Sequence, residues 1–170
     1  ALLQAYLEAS YLRAPFLHYE IRWVSLAGYL EQAIALPGDV TLMPYANDHM
    51  RGYRQRLADD PHSASHTFES YSAVMTVGAR RLVYSGNLAG ARGSDELAPI
   101  IEPCDLFIAE MAHVDPGQLG RFLAGRRIHH TVVTHFHPKW NDVTDEDLAA
   151  LIKQGTAGKL CGELTLLRDG

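Results

Sequence analysis

The feature that most constrains the fold of this chain is a hairpin followed by a regular alternation of helices and strands. Two apolar, strand-like runs, 70–77 and 81–84, flank the turn Gly78-Ala79-Arg80, which predicts a β-hairpin. Further along, helices are predicted over 94–101, 116–124 and 144–154, and strands over 105–110, 131–134 and 163–168. The alternation favours a sheet covered by helices, whereas the hairpin argues against a purely parallel sheet. We therefore predict an α/β (α+β) fold with a mixed β-sheet and outer helices.

The first third of the chain is less regular. We predict a helix over 1–13, a strand over 16–23, a helix over 27–36, a strand over 40–43 and, over 44–65, a loop with one helical turn. The chain begins at Ala1, with no initiator Met and no capping residue ahead of its first helix. We take this as a sign that upstream sequence is missing, although removal of a tag would leave the same start.

Composition indicates a single soluble domain over residues 1–170, with 47% hydrophobic and 21% charged residues. The formal net charge of −5 gives no support for a nucleic-acid partner. Arg126 and Arg127 are the one local basic pair near the site proposed below, and two solvated loop arginines are the commoner interpretation. No apolar run approaches the ~20 residues that span a bilayer, so we expect no membrane partner.

The two cysteines, Cys104 and Cys161, form no CxxC pair, which excludes a zinc knuckle or a thioredoxin-like site. Two buried thiols in a reducing compartment is the default interpretation, and a single disulfide stays open. No basic segment precedes an apolar core at the start of the chain, so we see no signal peptide. We expect a cytoplasmic protein.

Side chains that bind metals stand next to four predicted strand ends. His66 precedes the strand 70–77, Asn87 follows the strand 81–84, Glu110 and His113 end the strand 105–110, and His135 and His137 follow the strand 131–134. Imidazole, carboxylate and amide groups are ligands that zinc, manganese or iron would use. In a layered α/β fold these ends can converge. The alternative is a set of solvated loop histidines, and the residues alone do not decide between the two.

Three segments, in order, resemble the later motifs of the metallo-β-lactamase superfamily. SHTFESYSAVMTVGARRLVYSGN (65–87) resembles the metal-binding His, the hairpin and the strand ending in Ser-Gly-Asp. CDLFIAEMAH (104–113) resembles the strand ending in an acidic residue of ribonuclease-Z-like branches, and VVTHFHP (132–138) resembles the last metal-binding His. The closing GKLCGELTLLRDG fits the last strand of the family. The resemblance covers 65–169 well and 1–64 loosely, and it implies part of an αββα sandwich.

Carried over by position, the resemblance implies that His66 binds the first metal and His135 the second, with Asn87 at the bridging position between them. Glu110 and His113 would stand behind the ligands or contact the substrate, and His137 would lie beside the site. The implied cofactor is zinc or another divalent metal, one or two ions, that ionises a water for attack on an ester-like bond.

Two departures from the family pattern stand out. The signature His-x-His-x-Asp-His is absent from the chain, and the opening helix resembles the segment that follows it, so we expect that motif upstream of Ala1. Asn87 replaces the bridging Asp, and a neutral amide oxygen bridges two cations less well than a carboxylate. We therefore expect this chain, as it stands, to be an inactive, N-terminally truncated domain that can lack bound metal altogether.

The function predicted from the resemblance is metal-dependent hydrolysis of a small-molecule ester or a phosphodiester. Thioesters and lactones are chemically reasonable as well. Two alternatives stay open: a non-catalytic metallo-β-lactamase-like domain used for binding or assembly, and an unrelated α/β domain whose histidines are incidental. An incomplete sandwich would leave apolar sheet surface open, so we also expect a homo-oligomer.

Overall fold

A computed structural model describes residues 24–61, 68–90 and 93–168 of the chain. The predicted helix over 1–13 and strand over 16–23 lie outside these residues. The strands are β1 (Ile34–Leu36), β2 (Val40–Ala46), β3 (Tyr71–Val77), β4 (Arg80–Tyr84), β5 (Cys104–Met111), β6 (Ile128–Phe136) and β7 (Glu163–Leu166). The α-helices are α1 (Arg51–Arg56), α2 (Gly93–Glu96), α3 (Pro116–Leu123) and α4 (Asp145–Gly155), with short 3₁₀ turns at Leu26–Tyr29 and Pro138–Trp140.

The described strands form one seven-stranded mixed sheet in the order β1-β2-β3-β4-β5-β6-β7. Neighbouring strands from β1 to β4 are antiparallel, and those from β4 to β7 are parallel. Strand β4, the second strand of the predicted hairpin, is antiparallel to β3 and parallel to β5, so the sheet changes its pairing at this strand. The sequence prediction of a mixed sheet with outer helices is confirmed.

Helices α3 and α4 cover one face of the sheet. The buried core contains Val83, Phe107 and Val133 from the strands and Leu119 and Ile152 from the two helices. The N-termini of both helices are capped: Asp115 accepts a hydrogen bond from the Gly117 amide at 2.9 Å, and Thr144 accepts one from the Asp147 amide at 3.1 Å. On the opposite face, Leu106, Ile108 and Val132 are only half-buried.

The predicted helix over 27–36 is wrong. The segment contains a short 3₁₀ turn and then β1, which pairs with Val40–Leu42 of β2 as a hairpin. Gly38 and Asp39 both have positive φ, 79° and 57°, so Pro37-Gly38-Asp39 turns the chain between two strands rather than ending a helix.

Other element boundaries differ from prediction as well. The helix predicted over 94–101 ends at Glu96, β6 extends beyond 131–134 in both directions, and β2 continues three residues past Met43 to Ala46. The longer strand includes Pro44, although proline donates no hydrogen bond within a sheet. It is tolerated here because β1 pairs only with Val40–Leu42, so Pro44 lies beyond the end of its neighbour on that side.

Candidate functional site

The strand directions bring chemically active residues to one rim of the sheet. Strand β2 runs in the same sense as β4, β5 and β6, since β3 is antiparallel to both β2 and β4. The carboxyl ends of four strands therefore lie along one edge, where loops can present side chains to a cleft. His49, Asn87, His113 and His135 all follow or end these strands.

Glu110 anchors this rim. Its side chain is 2% exposed, and its carboxylate accepts hydrogen bonds from the amides of Leu88 at 2.9 Å, Ala112 at 2.6 Å and His113 at 2.9 Å. A buried carboxylate is costly unless such donors replace its water. The bond from the Leu88 amide also ties the loop after β4 to the end of β5.

His113 is oriented by Glu110. Its Nδ1 lies 3.2 Å from Glu110 Oε1, and this carboxylate, an acceptor that also binds three backbone amides, accepts a hydrogen bond from the ring N–H. Nδ1 therefore carries the hydrogen, and the lone pair of the neutral ring is on Nε2. With its side chain 35% exposed, His113 lies between the buried carboxylate and solvent.

His49 is the residue that the sequence analysis missed. Its Nδ1 is 3.1 Å from the carbonyl oxygen of Leu88, so this ring too donates from Nδ1 and keeps its lone pair on Nε2. Its ring centroid lies 4.5 Å from that of His113, edge to face. The side chain of Asn47 accepts a hydrogen bond from the His49 amide at 3.2 Å, which fixes the turn after β2.

His135 reaches the rim through a β-bulge. In the pairing of β5 with β6, Glu110 faces Thr134 and Met111 faces Phe136, so His135 is an extra residue without a partner in that ladder. Its φ is 52°, a left-handed conformation that is uncommon for a residue with a side chain. Its ring centroid lies 6.1 Å from that of His113, so the structure brings these two sequence-predicted residues together.

Asn87 lies at the same rim, between two residues that are held in place. A Cβ on Gly86 would approach the Tyr71 carbonyl oxygen to 2.1 Å, and the φ of Gly86 is 60°, so glycine is required there. On the other side, Leu88 is bound to Glu110 through its amide and to His49 through its carbonyl. Asn87 is half-buried in this loop.

The remaining predicted residues differ in outcome. His66 lies outside the described residues, so its assignment as a metal ligand stays a prediction. His137 begins the turn Pro138–Trp140, where its Nδ1 accepts a hydrogen bond from the Lys139 amide at 3.1 Å, and its side chain is exposed. Arg126 and Arg127 precede β6 at its amino end, opposite His135, and both contact Glu102. The expectation that they lie near the site is wrong.

The donor types at the rim suit a transition metal, but their number does not. His49 and His113 each have Nδ1 bound and a lone pair on Nε2, the arrangement usual in imidazole ligands. Within the ranges 24–61, 68–90 and 93–168, however, no group of three or more His, Cys, Asp or Glu residues is placed to hold one ion. The described residues therefore do not make a metal site by themselves.

A cleft of about 980 Å³ opens beside the two imidazoles. His49 and His113 form one wall of the cleft. The other lining residues include Arg51 and Tyr53 from α1 and Asp95 and Glu96 from α2. Glu96 accepts a hydrogen bond from the Asp48 amide at 2.8 Å, which joins α2 to the loop after β2. Partial burial raises the pKa of Glu96, and the neighbouring charges of Asp48 and Asp95 add to the increase.

The described part of the chain contains no helix long and apolar enough to cross a bilayer.

The two cysteines are both free. Cys104 is buried, as expected, whereas Cys161 is exposed, so the interpretation as two buried thiols is wrong for Cys161.

No protein-family model matches this chain, and no curated protein matches it either. Among solved structures, it is similar to the metallo-β-lactamase fold protein YhfI from Bacillus subtilis, with a TM-score of 0.54 and 16% identity over 82% of this chain and 51% of that one. CmlA, a diiron β-hydroxylase from Streptomyces venezuelae, matches at a TM-score of 0.47 and 9% identity, covering 81% of this chain and 32% of CmlA. The hydrolase AbOPH, of the beta lactamase superfamily, matches at 0.38 and 12%, covering 80% of this chain and 60% of AbOPH.

The likeness to YhfI shows that this chain has part of the metallo-β-lactamase fold. The resemblance drawn from the three sequence motifs is thereby confirmed at the level of the fold. The chain spans about half the length of YhfI.

Proposed function

We propose that this chain is part of a metal-dependent hydrolase that acts on an ester or phosphodiester bond. The observation that carries the proposal is the Glu110–His113 pair, which lies beside His49 and His135 at the carboxyl rim of a metallo-β-lactamase fold. A rim that gathers three imidazoles and a buried carboxylate next to a cleft has the composition of a hydrolytic site rather than of a structural surface.

In this proposal Glu110 and His113 handle a proton. Nε2 of His113 accepts a proton from an attacking water or donates one to the departing oxygen, while Glu110 fixes the ring and stabilises its cationic form. His49 and His135 are proposed as metal donors together with the earlier candidates His66 and Asn87. Because the described residues hold no group of three suitable donors, further donors must come from elsewhere, and His66 is one candidate within this chain.

This division of roles predicts that the 170-residue chain turns over poorly on its own. A catalytic zinc usually needs three protein ligands and an open position for water. Restoring Asp at position 87 would add one carboxylate at most, so Asn87→Asp alone is expected not to restore activity.

The experiment combines metal analysis with screening of ester and phosphodiester substrates, with and without a chelator. It compares this chain with the product of the complete gene. Chelator-sensitive hydrolysis by the longer protein, lost in a His113→Asn variant that still folds, supports the proposal. If both proteins fold but neither binds metal nor hydrolyses a substrate, the result would favour the alternative, a non-catalytic domain used for binding or assembly.

A further inference from the structure

The charges that line the cleft beside His49 and His113 bear on the kind of substrate it admits. Among the described lining residues, three carboxylates, those of Asp48, Asp95 and Glu96, face one guanidinium, that of Arg51. Arg51 is paired with Asp48 at 3.2 Å, so its charge is already compensated. Within the described part of the cleft, the two carboxylates of α2 are left as a net negative charge on one wall.

Of these two carboxylates, that of Glu96 is held in a fixed position. Glu96 is half-buried, and the Asp48 amide holds one of its oxygens at 2.8 Å. A charge held in a concave, partly desolvated wall acts more strongly on a ligand than a freely solvated one. The same wall repels the phosphates of a polyanion.

An aromatic side chain completes the environment. Tyr53 lines the cleft from α1 and is 55% exposed, which leaves its ring available to a ligand. Aromatic faces and carboxylates together are the usual surroundings of a bound alkylammonium group. Leu88 and Ala89 add apolar contact near the imidazole wall.

We infer that the cleft takes an ester substrate whose group remote from the scissile bond is an alkylammonium, and that it disfavours polyanions such as RNA. This inference rests on the proposed function, which places the reacting bond at the imidazole wall. It selects the ester over the phosphodiester within that proposal, because the negatively charged wall repels phosphate groups. The ribonuclease-Z-like resemblance alone would have suggested a nucleic-acid substrate.

The test measures the binding of three small probes to the full chain. Binding is detected as NMR shifts of the ¹⁵N-labelled histidine rings. Acetylcholine is cationic, 3,3-dimethylbutyl acetate is its uncharged analogue of the same shape, and monomethyl succinate is an anionic ester. The cationic probe should bind most tightly and the anionic one most weakly, with shifts at His49 and His113. Binding does not require turnover, so this result and the hydrolysis screen can fail separately.

Variants of the wall identify the charges responsible. Asp95→Asn and Glu96→Gln should each weaken acetylcholine binding by about two- to fivefold, the usual effect of a partly exposed charge, and leave the neutral probe unaffected. Gln at position 96 keeps an acceptor for the Asp48 amide. Glu146→Gln, an exposed carboxylate on α4 outside the cleft, is the matched control and should change nothing. Equal losses for the neutral probe, tighter binding of the anionic probe, or no binding of any probe would overturn the inference.

Discussion

Oε1 of Glu110 lies 3.2 Å from Nδ1 of His113, on a carboxylate that is almost completely buried. The same carboxylate accepts three backbone amides, one of them from Leu88 in the loop that follows a different strand. A single side chain thus sets the orientation of the His113 ring and holds together the loops that carry Asn87 and His113.

Replacing Glu110 by Gln should destabilise the fold and release His113. The Glu110 carboxylate accepts four hydrogen bonds through its two oxygens, whereas the side-chain amide of Gln has one acceptor oxygen. Some of the buried donors would therefore lose their partner. The expected cost is about 1–3 kcal/mol in the free energy of unfolding, measured by urea denaturation. Glu146→Gln is the control, and an unchanged midpoint in Glu110→Gln would show that the network contributes nothing.

The contact between α3 and α4 predicts a strong effect at a glycine. A Cβ on Gly120 would meet the Ile152 carbonyl oxygen at 2.1 Å, whereas one on Gly52 in α1 meets nothing within 4 Å. Gly120→Ala should therefore destabilise the protein by about 1–3 kcal/mol through overpacking. Gly52→Ala should be neutral or slightly stabilising, because alanine favours helix. Thermal unfolding of the two variants compares them directly, and equal shifts would refute the close packing.

Some of the architecture could be predicted from the sequence because it is encoded locally. The 70–84 hairpin has apolar runs around a glycine turn, and α4 has Thr144 as its cap, so both were predicted nearly to the residue. The segment 27–36 was mistaken for a helix because Pro37-Gly38 punctuates a helix end and a hairpin turn equally well.

The candidate site was harder to predict, since its members meet only through sheet topology. His49 was missed because the predicted strand 40–43 stops short of the true end of β2, so His49 was assigned to the loop 44–65 and not to a strand end. Its signal was present in Asn47-Asp48-His49, a polar turn directly after an apolar run. The bulge at His135 leaves no mark in the sequence, because it arises from the register between β5 and β6.

Asp105 should make stability depend on acid pH. The Arg81 amide donates to Oδ2 at 2.8 Å and Arg80 Nη1 to Oδ1 at 2.7 Å, and these bonds lower the pKa of Asp105 in the folded state. The stabilisation is therefore complete above the unfolded pKa of about 4 and is lost as pH falls through the lower folded value. Asp105→Asn should flatten stability over that window. Parallel pH profiles for both proteins would show that Asp105 has no such role.

The two cysteines should differ sharply in reactivity. Cys104 is 2% exposed, and burial raises its pKa to about 11, so little thiolate forms near neutrality. Iodoacetamide should label Cys161 in the folded chain and reach Cys104 only after unfolding in urea. Mass spectrometry of the modified peptides provides the measurement, with Cys161→Ser as control. Rapid labelling of folded Cys161→Ser would contradict the burial of Cys104.

The central claim, that the carboxyl rim of the sheet is the functional site, is tested most directly by zinc titration of the ¹⁵N-histidine-labelled chain. His129 and His130 provide an internal control, because they lie at the amino end of β6, away from His135. The account predicts weak, saturable shifts at His49 and His135, reversed by a chelator, with His129 and His130 unchanged. Shifts confined to His129 and His130, or shifts there larger than those at His49 and His135, would contradict it.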